Sequence, residues 1–222
     1  MGTGVDGKAL GGRQPVRPGP RSRYCAGVPR TVWRLVIAVT AAVAAASWIE
    51  GTISLRAFTV QVNLLIAACY GWLALRPPAA RRPARYTGPL RGGVLVAALA
   101  LSAIFFAEGG DGGTPRSLLA HLVTTLLVLA DWLLTGRDEP APPRWLPVAW
   151  LAYPVAYLVM TLIVGTLMTG PAWRRYQYPF LNPTVPGFLG RIAVFAALIL
   201  LLGVAVLALA RLRTRLSSRP RL

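Results

Sequence analysis

The sequence predicts an all-α fold: a polytopic membrane bundle of about six transmembrane helices. Three observations predict it. Hydrophobic residues make up 55% of the chain and charged residues only 14%, too few to solvate the surface of a globular protein of 222 residues. Six apolar runs approach the length of about 20 residues that crosses hydrocarbon. They are roughly Thr31–Ile49, Phe58–Leu75, Gly92–Ala107, Ser117–Thr135, Trp145–Met168 and Gly187–Ala210. The basic residues, finally, segregate with the connections. Of 24 Lys and Arg, 19 fall with the N-terminal tail, the second and fourth loops and the C-terminal tail. Arg56, Arg116, Arg174, Arg175 and Arg191 fall on the other side. The positive-inside rule then places both termini in the cytoplasm, at the cell membrane.

That pattern also accounts for the formal net charge of +17. Basic residues in the connections set topology and attract anionic headgroups as a secondary effect. Charge is the only support for a nucleic-acid partner, so none is expected. The expected partners are the lipid bilayer and a lipid-like small molecule.

Along the chain, residues 1–30 are rich in Gly, Pro and Arg without periodicity and are expected to be a disordered cytoplasmic tail. The first span ends in Ala44-Ala45-Ala46-Ser47, which resembles a signal-peptidase site; its length favours an uncleaved helix. The second loop, Arg76–Arg91, carries four prolines and is not expected to be a long helix. The third span is short enough to stand upright or thin the bilayer locally. The fourth loop, with Asp138, Glu139 and three prolines, reads as a solvated connector. The fifth loop, Thr169–Pro186, contains Tyr176-Gln177-Tyr178-Pro179-Phe180-Leu181-Asn182-Pro183, aromatic and proline-rich, and is expected to pack on the bundle as a lid. Residues 211–222 form a second basic tail, leaving one membrane domain over residues 31–210. All seven tryptophans fall near span ends, as an interfacial residue should.

Cofactor chemistry finds no motif. There is no Gly-rich phosphate loop, no HExxH and no carboxylate cluster, and a single histidine cannot supply bis-histidine haem ligation. Cys25 and Cys69 lack metal or disulfide spacing. No cofactor and no metal are expected.

In hydrocarbon a polar side chain is costly unless it faces the bundle interior and finds a partner. The polar residues inside spans are therefore informative. Thr59 and Asn63, four apart, share a face of the second span, while Gln61 points away from both. His121 sits one turn into the fourth span, with Thr125 on its face, Thr124 beside it and Asp131 near the far end. Both spans run from outside to inside, so Thr59 and His121 occupy one layer near the external surface. Asp131 is ten residues past His121, ~15 Å along a helix, too far to orient it. A Thr–His–Asp triad is thereby excluded and a Thr59–His121 dyad allowed. Such a dyad suits nucleophilic acyl transfer: imidazole removes the threonine proton near neutral pH, and Gln61, Asn63 or backbone N–H groups stabilise the oxyanion. The competing reading is that these groups bond across helices or to an i−4 carbonyl. Asp131 is expected to pair with an arginine such as Arg137 or to cap a water cavity, and Glu50 to reach external water.

The elements Phe58-Thr59-Val60-Gln61-Val62-Asn63-Leu64-Leu65, His121 with Asp131-Trp132-Leu133, Tyr153-Pro154, Tyr157 and Tyr178-Pro179-Phe180-Leu181-Asn182 resemble an actinobacterial six-pass membrane family (Pr-six-Pr). That family is similar to the androgen-induced and androgen-dependent TFPI-regulating proteins, membrane threonine hydrolases of fatty acid esters of hydroxy fatty acids. The resemblance spans roughly residues 31–210. It implies Thr59 as nucleophile and His121 as base, with Gln61, Asn63, Tyr157, Tyr178 and Asn182 in the binding site. Val62 stands where the pattern has Ser, and Thr124-Thr125 follow the histidine where a proline is expected nearby. The implied function is an intramembrane lipid-ester hydrolase acting near the outer leaflet. A non-catalytic transporter or lipid-binding protein, or a structural membrane partner, are the readings from other classes.

Overall fold

The computed structural model describes residues 30–49, 54–76, 87–110, 112–135 and 142–217. Expectations for the N-terminal tail with Cys25, for Glu50, for most of the second loop, for residues 137–139 and for residues 218–222 lie outside the described residues.

The described chain is helical throughout: α1 (Arg30–Ala46), α2 (Phe58–Leu75), α3 (Thr87–Ala107), α4 (Pro115–Thr135), α5 (Leu146–Leu167) and α6 (Phe188–Ser217). The helices α2 to α6 are long and apolar enough to cross a bilayer; α1, with 17 residues, falls just short of them. The expected all-α bundle is thus present. Two boundaries differ most from the sequence reading. Helix α3 starts at Thr87, five residues before the expected Gly92, so it has ordinary spanning length and needs no thinned bilayer. Pro89 lies in its first turn, where the missing N–H has no helical partner to lose. Helix α6 runs on to Ser217, past the expected end at Ala210. Its basic end is held by Arg213, whose guanidinium lies 3.8 Å from the Trp132 ring centroid and donates to the Trp132 carbonyl, and by Arg211, which donates to the Pro142 carbonyl.

Packing follows membrane logic. Lipid is as apolar as leucine, so helices associate through close contact of small side chains rather than by escaping solvent. Helix α1 lies along α2 and buries Ile37, Ala38, Ala41, Ala44 and Ala45, while Val32, Val36, Val39 and Val43 face outward. Helix α3 is central, touching α2, α4, α5 and α6, and buries an almost continuous run from Val94 to Leu101. Its glycines let α5 approach. A Cβ on Gly93 would stand 2.8 Å from the Trp150 ring, which is pinned by its indole N–H donating 3.1 Å to the Pro89 carbonyl. Gly93→Val is therefore expected to destabilise the bundle by roughly 1–3 kcal/mol through overpacking, read as a lowered unfolding midpoint in detergent.

Helix α5 tightens at Leu151, just before Pro154, and beyond it Ala152–Leu167 packs most closely on the following loop. Val155, Val159, Ile163 and Leu167, spaced by four, form one exposed apolar stripe. The fifth loop does pack on the bundle, as expected of a lid. A helical turn at Ala172–Arg175 and a tighter one at Pro179–Leu181 fold it back, burying Tyr176 and Leu181. The Tyr176 ring occupies the space a side chain at Gly165 would need, and Arg175 Nε donates 2.7 Å to the Gly165 carbonyl.

Asp131 finds a partner, but not the expected one. It pairs with Arg91 at 2.7 Å, with the arginine 1% and the aspartate 0% exposed. The sequence reading left Arg91 in the second loop; the early start of α3 places it inside the bundle. Its Nε and Nη2 both reach Asp131 Oδ2, and Nη2 also donates to the Asp131 carbonyl and the Thr135 hydroxyl. Such multiply hydrogen-bonded pairing, two guanidinium nitrogens on one carboxylate oxygen, is what allows a charge to persist at membrane depth.

Candidate functional site

Helix α4 carries His121 on an irregular turn. From Leu119 to Val123 the backbone widens to the i→i+5 pattern, with the Thr124 N–H bonding the Leu119 carbonyl. A widened turn leaves carbonyls short of regular partners, and such turns concentrate at functional sites. Here each is met by a side chain. Thr124 Oγ1 donates 2.8 Å to the Leu119 carbonyl, Asn63 Nδ2 donates 3.2 Å to that of Ala120, and the Ser102 hydroxyl donates to that of His121. Thr125 continues the link to α3, 2.8 Å from Ser102 Oγ and donating 3.1 Å to the Ala98 carbonyl. The threonines following the histidine therefore hold the turn that presents it.

The imidazole is clamped from both sides. It stacks on Phe105 at 3.8 Å between centroids and 12° between planes, and meets Trp48 edge-on at 6.0 Å. Its Nδ1 lies 3.0 Å from the Ser117 carbonyl, one turn back on α4. A carbonyl only accepts, so Nδ1 carries the proton and the neutral ring turns the lone pair of Nε2 toward Thr59 Oγ1, 3.2 Å away. Thr59 occupies the first turn of α2, where backbone N–H groups lack helical acceptors and the dipole favours negative charge.

The lid supplies a third group. Tyr178 Oη is 3.1 Å from Thr59 Oγ1 and accepts from the Thr59 N–H at 3.2 Å. With Nε2 as acceptor on one side, the hydrogen bonds take a single direction. The Thr59 N–H donates to Tyr178, the phenol to Thr59 Oγ1, the threonine hydroxyl to His121, and His121 to the Ser117 carbonyl. Burial pushes the Tyr178 phenol above its ordinary range, and its hydrogen bonds to Thr59 oppose that only in part. It is consequently a proton donor, not a phenolate, at neutral and mildly alkaline pH.

These three side chains line a cavity of about 510 Å³ between α3, α5, α6 and the lid. Leu101, Ile104, Leu158, Ile192, Phe195 and Ile199 give it apolar walls. Volume and lining match a site for a largely apolar ligand met by a few polar groups.

The sequence-predicted residues divide accordingly. Thr59, His121, Tyr157 and Tyr178 line the cavity, Tyr157 with its ring against Phe58 at 4.8 Å. Gln61 does not; its amide donates 3.2 Å to the Leu55 carbonyl. Asn63 is buried behind the site, with Nδ2 donating 2.8 Å to the Thr59 carbonyl as well as to Ala120, so its donors are spent on structure. Asn182 caps a turn, its Oδ1 accepting from the N–H and hydroxyl of Thr184. Gln61 and Asn63 thus donate to backbone carbonyls rather than into the cavity, where the oxyanion role expected of them would need them. Asp131 stands apart with Arg91, so no aspartate completes a triad. Ser102, Phe105 and Trp48 were missed. An isolated serine and two aromatics carry no spacing signal, and only the fold brings them to His121. Among the described residues no cluster of His, Cys, Asp or Glu can hold a metal ion.

Fold and site together define a polytopic helical membrane protein with a Thr–His–Tyr cluster, its threonine and histidine buried, opening on an apolar cavity. Compared with known proteins, the chain matches no family model, no curated protein and no solved structure.

Proposed function

We propose that this protein is an intramembrane threonine-type hydrolase of lipid esters, working near the outer leaflet with both termini cytoplasmic. The observation that carries the proposal is the directed hydrogen-bond chain in the wall of an apolar cavity. A threonine used only for helix packing needs no histidine lone pair aimed at it and no phenol on its other side. The proposed orientation rests on the 19-to-5 division of basic residues. The motif resemblance to the Pr-six-Pr family and to membrane threonine hydrolases agrees with this reading.

The reaction follows from the geometry. An ester enters sideways with its acyl chain along the cavity and its carbonyl carbon against Thr59 Oγ1. His121 Nε2 takes the hydroxyl proton as the oxygen bonds to that carbon. The negative charge passing to the carbonyl oxygen is met by the Tyr178 phenol and the positive end of α2. When the C–O bond to the alcohol breaks, the imidazolium returns its proton to the leaving oxygen. Water, deprotonated by the same imidazole, then attacks the acyl-threonine, and as the C–Oγ1 bond breaks the imidazolium returns that proton to Thr59 Oγ1 and the fatty acid is released. The Ser117 carbonyl accepts the hydrogen bond from Nδ1–H throughout, fixing the tautomer and ring orientation as an aspartate does in a triad but without its charge.

The proposal is tested by fatty-acid release from a panel of lipid esters by purified protein in nanodiscs. Turnover above vesicles lacking protein is expected. Saturable lipid binding with no release from any ester would leave the cavity to the binding or transport reading. Tyr178→Phe keeps the ring and removes the donor, and is expected to lower kcat by about 10²-fold, the size reported for loss of one oxyanion donor, with KM little changed. Because burial raises the phenol's pKa, the wild-type rate should show no loss attributable to Tyr178 ionisation between pH 8 and its ordinary value of 10. A descending limb in that interval that disappears in Tyr178→Phe would contradict the role assigned to the phenol.

A further inference from the structure

Two charges at the cavity are used by none of this chemistry. Glu108 directly follows the last residue of α3, and Arg191 sits in the first turn of α6. Both line the cavity, both are exposed, and they are its only charged lining residues. Among the described residues neither side chain forms an ion pair or hydrogen bond, with each other or with anything else; the one ion pair is Arg91–Asp131. Unlike charges facing one mouth would ordinarily close on each other or on a neighbouring carbonyl. Arg56 and Arg175, at the same end of the bundle, do bond carbonyls.

We propose that this rim recognises a zwitterionic headgroup, Arg191 taking the phosphate and Glu108 the ammonium, so that the substrate is a lipid ester of the phosphoethanolamine type. The inference rests on the hydrolase reading and names its substrate class. A neutral ester would leave both charges unused. A purely anionic lipid would meet Arg191 but be repelled by Glu108, and that repulsion is what gives selectivity. A zwitterion satisfies both. Thr59 and His121 then cleave the acyl ester, giving a fatty acid and the headgroup-bearing alcohol, with water as the only co-reactant.

The test compares three esters of the same acyl chain in nanodiscs: lysophosphatidylethanolamine, lysophosphatidylglycerol and monoacylglycerol. The kcat/KM for the first is expected to exceed the other two by about tenfold, as for one charge-assisted hydrogen bond at a partly exposed site. In Glu108→Gln the preference over lysophosphatidylglycerol should collapse toward one. In Arg191→Gln the preference over monoacylglycerol should do so. Equal turnover of all three lipids, or ratios untouched by either substitution, overturns the proposal. If the wild type cleaves none of them, the hydrolase reading fails on its own, and equilibrium binding of the same three lipids decides the headgroup assignment. Zwitterion-selective binding lost in both variants sustains it, and unselective binding overturns it.

Discussion

Thr59→Ala is expected to reduce ester turnover by at least about 10³-fold, and His121→Ala by a similar factor, with folding intact in both. The size follows from what each removes. Without Thr59 Oγ1 there is no nucleophile, and residual rate comes only from water attacking an ester held in the cavity. Without Nε2 the hydroxyl keeps its proton, a loss in the range of general-base catalysis of about 10²–10⁴. The two act as one unit, so the double variant should be hardly slower than either single one. Thr59→Ser retains the hydroxyl and should recover most of the rate, which separates chemistry from packing. Size-exclusion behaviour and Tm report folding, and initial rates of fatty-acid release report activity. Additive losses in the double variant would contradict a shared step.

Arg91→Met is expected to destabilise the bundle by roughly 3–5 kcal/mol, the cost of leaving a buried ion-pair partner alone. Asp131 would remain 0% exposed with the Thr135 hydroxyl as its nearest help, 3.3 Å away. Replacing both partners, Arg91→Met with Asp131→Leu, removes the orphan charge and should recover most of that loss. Unfolding in mixed detergent micelles gives both numbers. The ion pair lies about ten residues along α4 from His121, so the double replacement is also expected to leave the Tyr178-dependent part of the rate in place. A single Arg91→Met variant as stable as wild type would mean the pair does not hold α3 to α4.

The fold was legible because its determinants are one-dimensional. Apolar length, basic connections and tryptophans at span ends read straight off the chain, and helices α2 to α6 follow them. Boundaries were less legible where a residue type signals two things. Arg91 looks like a loop cation until Asp131, forty positions later, is placed opposite it. Arg211 and Arg213 look like a tail until Pro142 and Trp132 are found to receive them. The site was half legible. Thr59 and His121 could be matched by depth, since each is a polar group one turn inside an apolar run. That argument also excluded Asp131 from the dyad, consistent with its pairing to Arg91. Gln61 and Asn63 could not be sorted, because whether an amide serves a ligand or a carbonyl depends on a neighbour that spacing does not reveal. The widened turn at Leu119–Val123 was invisible: its supports, Asn63, Ser102 and Thr124, come from three helices. Composition marks Tyr178 only as part of an aromatic loop and the motif resemblance alone puts it in the binding site; its reach to Thr59 depends on how that loop folds back.

The measurement that bears most directly on the central claim is covalent labelling with an active-site-directed fluorophosphonate. Purified, folded wild type, Thr59→Ala and His121→Ala are compared, and the modified residue is located by peptide mass. The account predicts labelling of wild type at Thr59 Oγ1 and none in either variant, since the hydroxyl reacts only when Nε2 accepts its proton. Folded wild-type protein that takes no label, or that is labelled equally after His121→Ala, would contradict an activated threonine. The cavity would then be a place where lipid is held rather than cleaved.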